Sequence, residues 1–239
     1  IDLNECSRDK YYCHQVASCT NYRGSFTCTC DQGYFGDGFE CELNYARGLK
    51  QSTIVGNDAN YLQYLSTWLK PVAQSKSSRW KRCWRASVDG WAASTFHSRC
   101  YNKGPTVTII RVGGKYIFGG YTSLSWGYSS CQYRYDSSAF LFSLVNKPGW
   151  APVKLPAYRY YDKAIYDCSS YGPSFGGGSD IRIVDYASSG SGSNTFLGYT
   201  YTPPRGYSYR STFSNTFLQG QRNTDHFTPD EVETFYETT

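Results

Sequence analysis

Ten cysteines are the most prominent reactive groups in this chain of 239 residues. They stand at positions 6, 13, 19, 28, 30 and 41 and then, after a long gap, at 83, 100, 131 and 168. So many in so short a leading segment mark a disulfide-stapled module, because about 40 residues cannot bury a sufficient apolar core. Disulfides persist in oxidising compartments, which predicts a secreted, extracellular protein. A zinc site would ask for two close cysteine pairs, or a cysteine pair with a histidine pair. Cys28 and Cys30 are separated by one residue and His14 is the histidine nearby, so that reading is set aside. Nucleophilic hydrolysis fares no better, because the chain has only His14, His97 and His226 and carries no Gly-x-Ser-x-Gly turn. Asp180 and Asp185 have no spacing that recommends them as an acid and base pair. The run Gly176-Gly177-Gly178 lacks a following Lys-Ser/Thr and reads as a turn or bulge. The expectation is a non-enzymatic protein in which His97 is structural and His226 pairs locally with Asp225.

Charge separates along the same boundary. Residues 1–43 hold three basic and seven acidic side chains, a net of −4 that leaves +9 for the remainder. An acidic stapled module suggests cation binding, and a basic, aromatic-rich body suggests an anionic partner. The basic cluster Lys76, Arg79, Lys81, Arg82 and Arg85, interleaved with Trp80 and Trp84, is the candidate patch for anionic glycans, with Arg79, Lys81, Arg82 and Arg85 at its centre. The same alternation also allows a solvated charged face whose stems cover the tryptophans. Nucleic acid is excluded as a partner by the compartment. Tyrosine is abundant, 24 residues, and its amphipathic rings suit interfaces or oxidative crosslinking. No apolar run approaches the roughly 18 residues of a membrane span, and a chain with 18% aromatic residues is not a disordered one. The chain begins at Ile1 with no signal-peptide pattern, so a processed chain or a piece of a longer one is expected.

The spacing of the first six cysteines, with the turn-rich segment from Asp31 to Gly38 before Cys41, resembles an EGF-like domain over residues 1–43. The resemblance implies the pairs Cys6–Cys19, Cys13–Cys28 and Cys30–Cys41, whereas the spacing alone leaves fifteen connectivities open. Asp2-Leu3-Asn4-Glu5 ahead of Cys6, with Asn21 after Cys19 and Phe26 beyond it, is similar to the calcium-binding subclass. A hard cation wants six to eight oxygens, and a short segment supplies them by mixing carboxylates, an amide and carbonyls. By resemblance the ligands are the side chains of Asp2, Glu5 and Asn21 and the carbonyls of Leu3, Tyr22 and Ser25, with calcium as the cofactor. Asn21 to Cys30 also resembles the β-hydroxylation pattern of such modules, and Ser18 resembles an O-fucose acceptor. No Asn-x-Ser/Thr sequon occurs.

Positioning falls to the elements that follow. Residues 44–52 read as a connector and 53–239 as a second domain. Leu62, Leu65, Trp68, Leu69 and Val72 recur at helical spacing within Gly56 to Val72. A second helix is expected over Asp89 to Arg99. Strands are predicted over Thr106–Val112, Lys115–Phe118, Ala139–Val145, Ile181–Val184 and Thr195–Tyr201, bounded by Gly, Pro and Ser, which argues for an antiparallel β-sandwich. The segment Ala187 to Asn194 reads as a mobile linker. Six ordered blocks, among them Trp84 to Trp91, Phe96-His97-Ser98-Arg99-Cys100, Phe118 to Thr122 and Gly172 to Gly178, resemble the TLDc domain. That resemblance implies a two-sheet sandwich flanked by helices, with Asp230 to Phe235 as a closing strand. Better-known members are intracellular, linked to oxidative-stress protection and the vacuolar proton pump. This chain departs from them in its EGF-like partner, its added cysteines and Tyr101, where Asp is usual, so the fold is carried over and the pump partner is not.

The last four cysteines permit three pairings. Sequence-local bridges, Cys83–Cys100 and Cys131–Cys168, close the smaller loops, with a buried free Cys100 as the alternative. The fold class expected is a small disulfide-rich β module plus a mainly-β α+β domain. The function expected is a secreted structural or adhesive protein, self-associating in a matrix or filament or joined to neighbouring extracellular modules, in which calcium rigidifies the module. A recognition module for anionic glycans is the alternative.

Overall fold

The computed structural model describes residues 3–7, 12–127, 130–190, 192–221 and 224–239. A 3-10 turn over Glu5–Ser7 leads into the antiparallel pair β1 (Ala17–Tyr22) and β2 (Ser25–Cys30), then a short hairpin of β3 (Tyr34–Gly36) and β4 (Cys41–Leu43). Among the described residues 3–43 only Cys28 and Gly38 are buried. Cross-links therefore replace a core: Cys6–Cys19, Cys13–Cys28 and Cys30–Cys41, the pairs that the resemblance implies, close loops of 13, 15 and 11 residues. Each contributes about 3 kcal/mol by restricting the unfolded chain.

The larger body comprises α1 (Ala59–Leu69), β5 (Arg79–Arg85), α2 (Ala86–Asp89), α3 (Ala93–Cys100), β6 (Thr106–Val112), β7 (Tyr116–Thr122), β8 (Gln132–Arg134), β9 (Phe140–Val145) and β10 (Val153–Pro156). Then come β11 (Ile165–Asp167), β12 (Tyr171–Phe175), β13 (Ile181–Val184), β14 (Ser193–Asn194), α4 (Thr212–Phe217), β15 (His226–Phe227) and β16 (Pro229–Thr238). Two antiparallel sheets result, ordered β10-β9-β7-β6-β16-β5 and β15-β14-β13-β12-β11-β8. The core between them is aromatic, with Trp84, Phe96, Phe118, Trp126 and Phe175 fully enclosed. The opposite face of the first sheet carries a second apolar cluster, in which Trp80, Phe140 and Phe142 meet Leu62, Leu65 and Leu69 of α1. Because both faces of this sheet are covered, β6 is buried along nearly its whole length, with Val107 and Ile109 facing α1 and Ile110 and Val112 facing the second sheet.

The expected helix starts at Ala59 because the Asp58 carboxylate accepts from Tyr61 N at 3.0 Å and caps it. The second helix expected over Asp89 to Arg99 appears as α3, which starts only at Ala93, while Ala86–Asp89 forms the separate short turn α2. Strands at 106–112 and 181–184 match their expected bounds. Thr195 to Tyr201 does not form the predicted strand. Its amides at Gly198, Tyr199, Thr200 and Tyr201 all donate to the buried Asp180 carboxylate, at 2.8 to 3.3 Å, so they are not available to a ladder. The expected linker 187–194 is also corrected, since Ala187, Ser193 and Asn194 are buried and β14 joins the second sheet. The connector 44–52 likewise packs inward, with Ala46 and Leu49 in the cluster under α1. Cys83–Cys100 and Cys131–Cys168 are bridged, so Cys100 is not the free thiol of the alternative reading.

Candidate calcium centre and the junction behind it

The Cys6–Cys19 bridge ties the turn at Glu5–Ser7 to β1 and so brings Glu5 beside Asn21. Glu5 N donates to Asn21 Oδ1 at 3.1 Å. Asn21 lies opposite Phe26 in the ladder, and Tyr22 opposite Ser25 closes the hairpin, which places their backbones at the same end of the module. Glu5 Oε2 is buried without a hydrogen-bond partner. Leu3 is exposed, and Asp2 lies outside the described residues. No three His, Cys, Asp or Glu side chains converge among the described residues. The set named from sequence is of another kind, one amide and three carbonyls with two carboxylates, and a hard cation accepts such mixed oxygens. A buried carboxylate oxygen with no donor, on a residue whose own N–H bonds the Asn21 amide oxygen, fits that group. Ser18, the O-fucose candidate, is exposed on β1 and donates to Asp31 Oδ1 at 2.7 Å.

At the far end, the module is fastened to the body. Ser66 Oγ on α1 accepts from Tyr45 N at 2.7 Å and lies 3.4 Å from the Leu43 carbonyl. Trp80 Nε1 donates to Tyr45 O at 2.9 Å, and Trp80 N donates to Arg47 O at 2.7 Å. Phe35 and Tyr45 pack against the cluster beneath α1. Gly48 has a φ of 97°, and a Cβ there would collide with the Trp80 carbonyl, so glycine is what permits the close passage. The Glu42–Lys70 pair at 3.7 Å is exposed and adds little.

The anion patch expected at 79–85 is corrected. Trp80 and Trp84 are buried and offer no aromatic surface, while Arg79 and Lys81 point to solvent. Arg82 pairs with the buried Glu233 at 3.2 Å. Arg85 pairs with Glu231 at 2.8 Å and lies 3.9 Å from Glu233. Burial works against the ionised form of Glu231, but hydrogen bonds from Ser87 and Arg85 outweigh it and hold the carboxyl below its usual range. These arginines neutralise the glutamates of β16 and are not free for a ligand. Sequence inspection missed this because the partners stand about 150 positions away.

The remaining groups considered for chemistry make contacts within the fold. His97 Nε2 lies 3.0 Å from Cys168 O and 2.9 Å from Tyr171 O, joining α3 to β12 and the loop before it. Asp185 accepts from Ala93 N at 2.7 Å at the start of α3. His226 and Asp225 form an exposed neighbour pair at 3.1 Å.

Comparison with protein families matches residues 6–41 to the EGF domain and residues 49–237 to the TLDc domain. Among curated proteins, the MTOR-associated protein MEAK7 of Danio rerio is 32% identical over 81 residues, 34% of this chain and 18% of that protein. MEAK7 of Gallus gallus is 30% identical over 98 residues, 41% of this chain and 20% of that protein. The matched segments thus span a fifth or less of these relatives. The TLDc match covers most of the chain, and with an EGF domain ahead of it, this protein belongs to the TLDc domain family.

Proposed function

We propose that the protein is a secreted, non-enzymatic structural or adhesive subunit in which a calcium-binding EGF domain is held in fixed orientation on a TLDc body. The observation that carries the reading is the junction at Ser66. One buried hydroxyl bonds the backbone at both Leu43 and Tyr45 where the chain leaves the module, and Trp80 and Phe35 seal the contact. A freely hinged pair of domains would need none of this. The donor-poor carboxylate of Glu5 beside Asn21 supports calcium at the opposite end, where a neighbouring copy or module would meet it. Calcium there supplies charge neutralisation and stiffness, while Glu5 and Asn21 orient the turn ahead of the first bridge. Bridged cysteines at all ten positions support the oxidising compartment. The MEAK7 proteins are described as MTOR-associated, which supports a TLDc body used for protein contact.

The test is the particle size of the protein with and without calcium, by light scattering and electron microscopy. Ordered assemblies that loosen on chelation are the expected result. Monodisperse particles of one size in both conditions would overturn the assembly role.

A further inference from the structure

The two sheets differ in what covers them. The first has apolar layers on both faces, whereas the second packs one face into the core and turns the other outward. Alternation along four neighbouring strands brings Tyr133, Tyr166, Tyr171 and Arg182 together on that outward face. The Tyr133 and Tyr166 rings are 4.7 Å apart, Tyr166 and Tyr171 are 6.2 Å apart, and the Arg182 guanidinium lies 5.1 Å from the Tyr171 ring. With Ser174 and Gly176 these residues line a cleft of about 140 Å³. Arg182 Nε is buried and has no hydrogen-bond partner.

The triple-glycine turn joins this cleft to a second aromatic patch. A Cβ on Gly177 would run into Lys163 and Tyr199, and one on Gly178 into Tyr199, so these glycines let both side chains lie against the backbone. Lys163 Nζ sits between the patches, 5.8 Å from the Tyr133 ring and 5.7 Å from that of Tyr160. Tyr160 stacks on Tyr199 at 5.0 Å, and Arg159 lies 5.4 Å from the first ring and 5.9 Å from the second. Among the described residues none of Arg159, Lys163 and Arg182 forms an ion pair with a carboxylate, the adjacent Asp162 included. The contrast with Arg82 and Arg85 is direct, because those two face glutamates.

We propose that this outward face, centred on the cleft between Tyr133 and Arg182, binds an anionic polysaccharide bearing sulfate or carboxylate groups. Tyrosine rings offer flat apolar faces to sugar C–H groups, and the unneutralised cations at their edges complete the match to a polyanion. The Arg182 guanidinium at the cleft carries a planar donor fork suited to sulfate or carboxylate. The polysaccharide requirement separates this face from a generic basic surface, since the charges are set among rings.

The experiment is a titration of the full chain with heparin at physiological salt. Desulfated polysaccharide and poly-glutamate serve as comparison probes. The Lys163→Gln, Arg182→Gln double variant is expected to lose about tenfold in affinity, a change of about 1.4 kcal/mol, with an unchanged melting temperature. Tyr166→Leu is expected to weaken heparin while leaving poly-glutamate alone, and the Arg79→Gln, Lys81→Gln double variant is expected to bind as the parent does. Equal loss in both double variants, tighter binding of poly-glutamate than of heparin, or no binding of heparin would each overturn the proposal. A melting loss in the first double variant shifts the decision to Tyr166→Leu and to protection of Lys163 from acetylation by heparin. These results are independent of the calcium experiment, so either reading can fail without the other.

Discussion

The EGF domain and the TLDc body solve the same problem with different materials. The first buries almost nothing and is held by three cross-links in about 40 residues; the second encloses a dozen large side chains in two apolar layers, with two cross-links, of which Cys83–Cys100 lies within the core. Materials so unlike predict two stability units, sensitive to different insults and coupled where Ser66 bonds the chain leaving the module. The largest effect is expected in the body. Phe96, fully buried against Trp84 and Trp126, should cost about 3–5 kcal/mol when changed to alanine, measured by denaturant unfolding of the body while the module's disulfides remain intact.

The converse change, Cys13→Ser with Cys28→Ser, should destabilise the module by about 3 kcal/mol. Hydrogen exchange should then rise across residues 12–43 and stay low in β6 and β16; a global rise would show one cooperative unit instead. Calcium at a hundred times its dissociation constant should stabilise the module alone, by about 2.7 kcal/mol, read as a shift in its melting transition that Glu5→Gln diminishes.

The two units should also answer pH in opposite senses. Burial raises Asp180 to about 7, with four backbone hydrogen bonds opposing the rise. The native body therefore holds that proton more tightly than the unfolded chain does. The associated stability is complete below 3.8 and lost as the pH climbs through about 7. In the module, backbone donation from Glu40 and Phe39 lowers the Asp37 pKa, so its contribution is present above the usual carboxylate range and lost as the pH falls. Melting curves between pH 4.5 and 8 should show the body weakening with rising pH, a slope that Asp180→Asn removes. Smallest of all, Ser66→Ala should cost about 1 kcal/mol through the lost bond to Tyr45 N. Its readout is the relative orientation of the units, measured by small-angle scattering, and unchanged curves would mean the apolar seal of Phe35 and Trp80 suffices.

What could be read from sequence follows from the range of the determining contact. The EGF framework was legible because cysteine spacing encodes it locally, and β6 because Val107 and Ile109 supply apolar side chains to one face and Ile110 and Val112 to the other. Thr195 to Tyr201 carries the same local signal as a strand, yet a carboxylate 18 to 21 residues away takes its amides. The fate of Arg82 and Arg85 was hidden for the same reason. The tyrosine face was invisible for another: Tyr133, Tyr166, Tyr171 and Arg182 come from four strands, and only pairing sets them side by side. At the candidate cation site, residue types and a family resemblance were enough to nominate Glu5 and Asn21, while the orphaned oxygen of Glu5 required coordinates.

β16 occupies an inner position, paired on one edge with β5 and on the other with β6. A nascent chain that has emerged only as far as residue 228 therefore possesses a sheet in two unjoined pieces, with two open edges and a gap where Val232 and Phe235 belong. The stapled module can oxidise and close while synthesis continues, whereas the body must wait for its last segment to thread between strands made some 120 and 150 residues earlier. Biogenesis is thus ordered by topology, and the interval before that strand arrives is when the body most needs a chaperone to shield its edges.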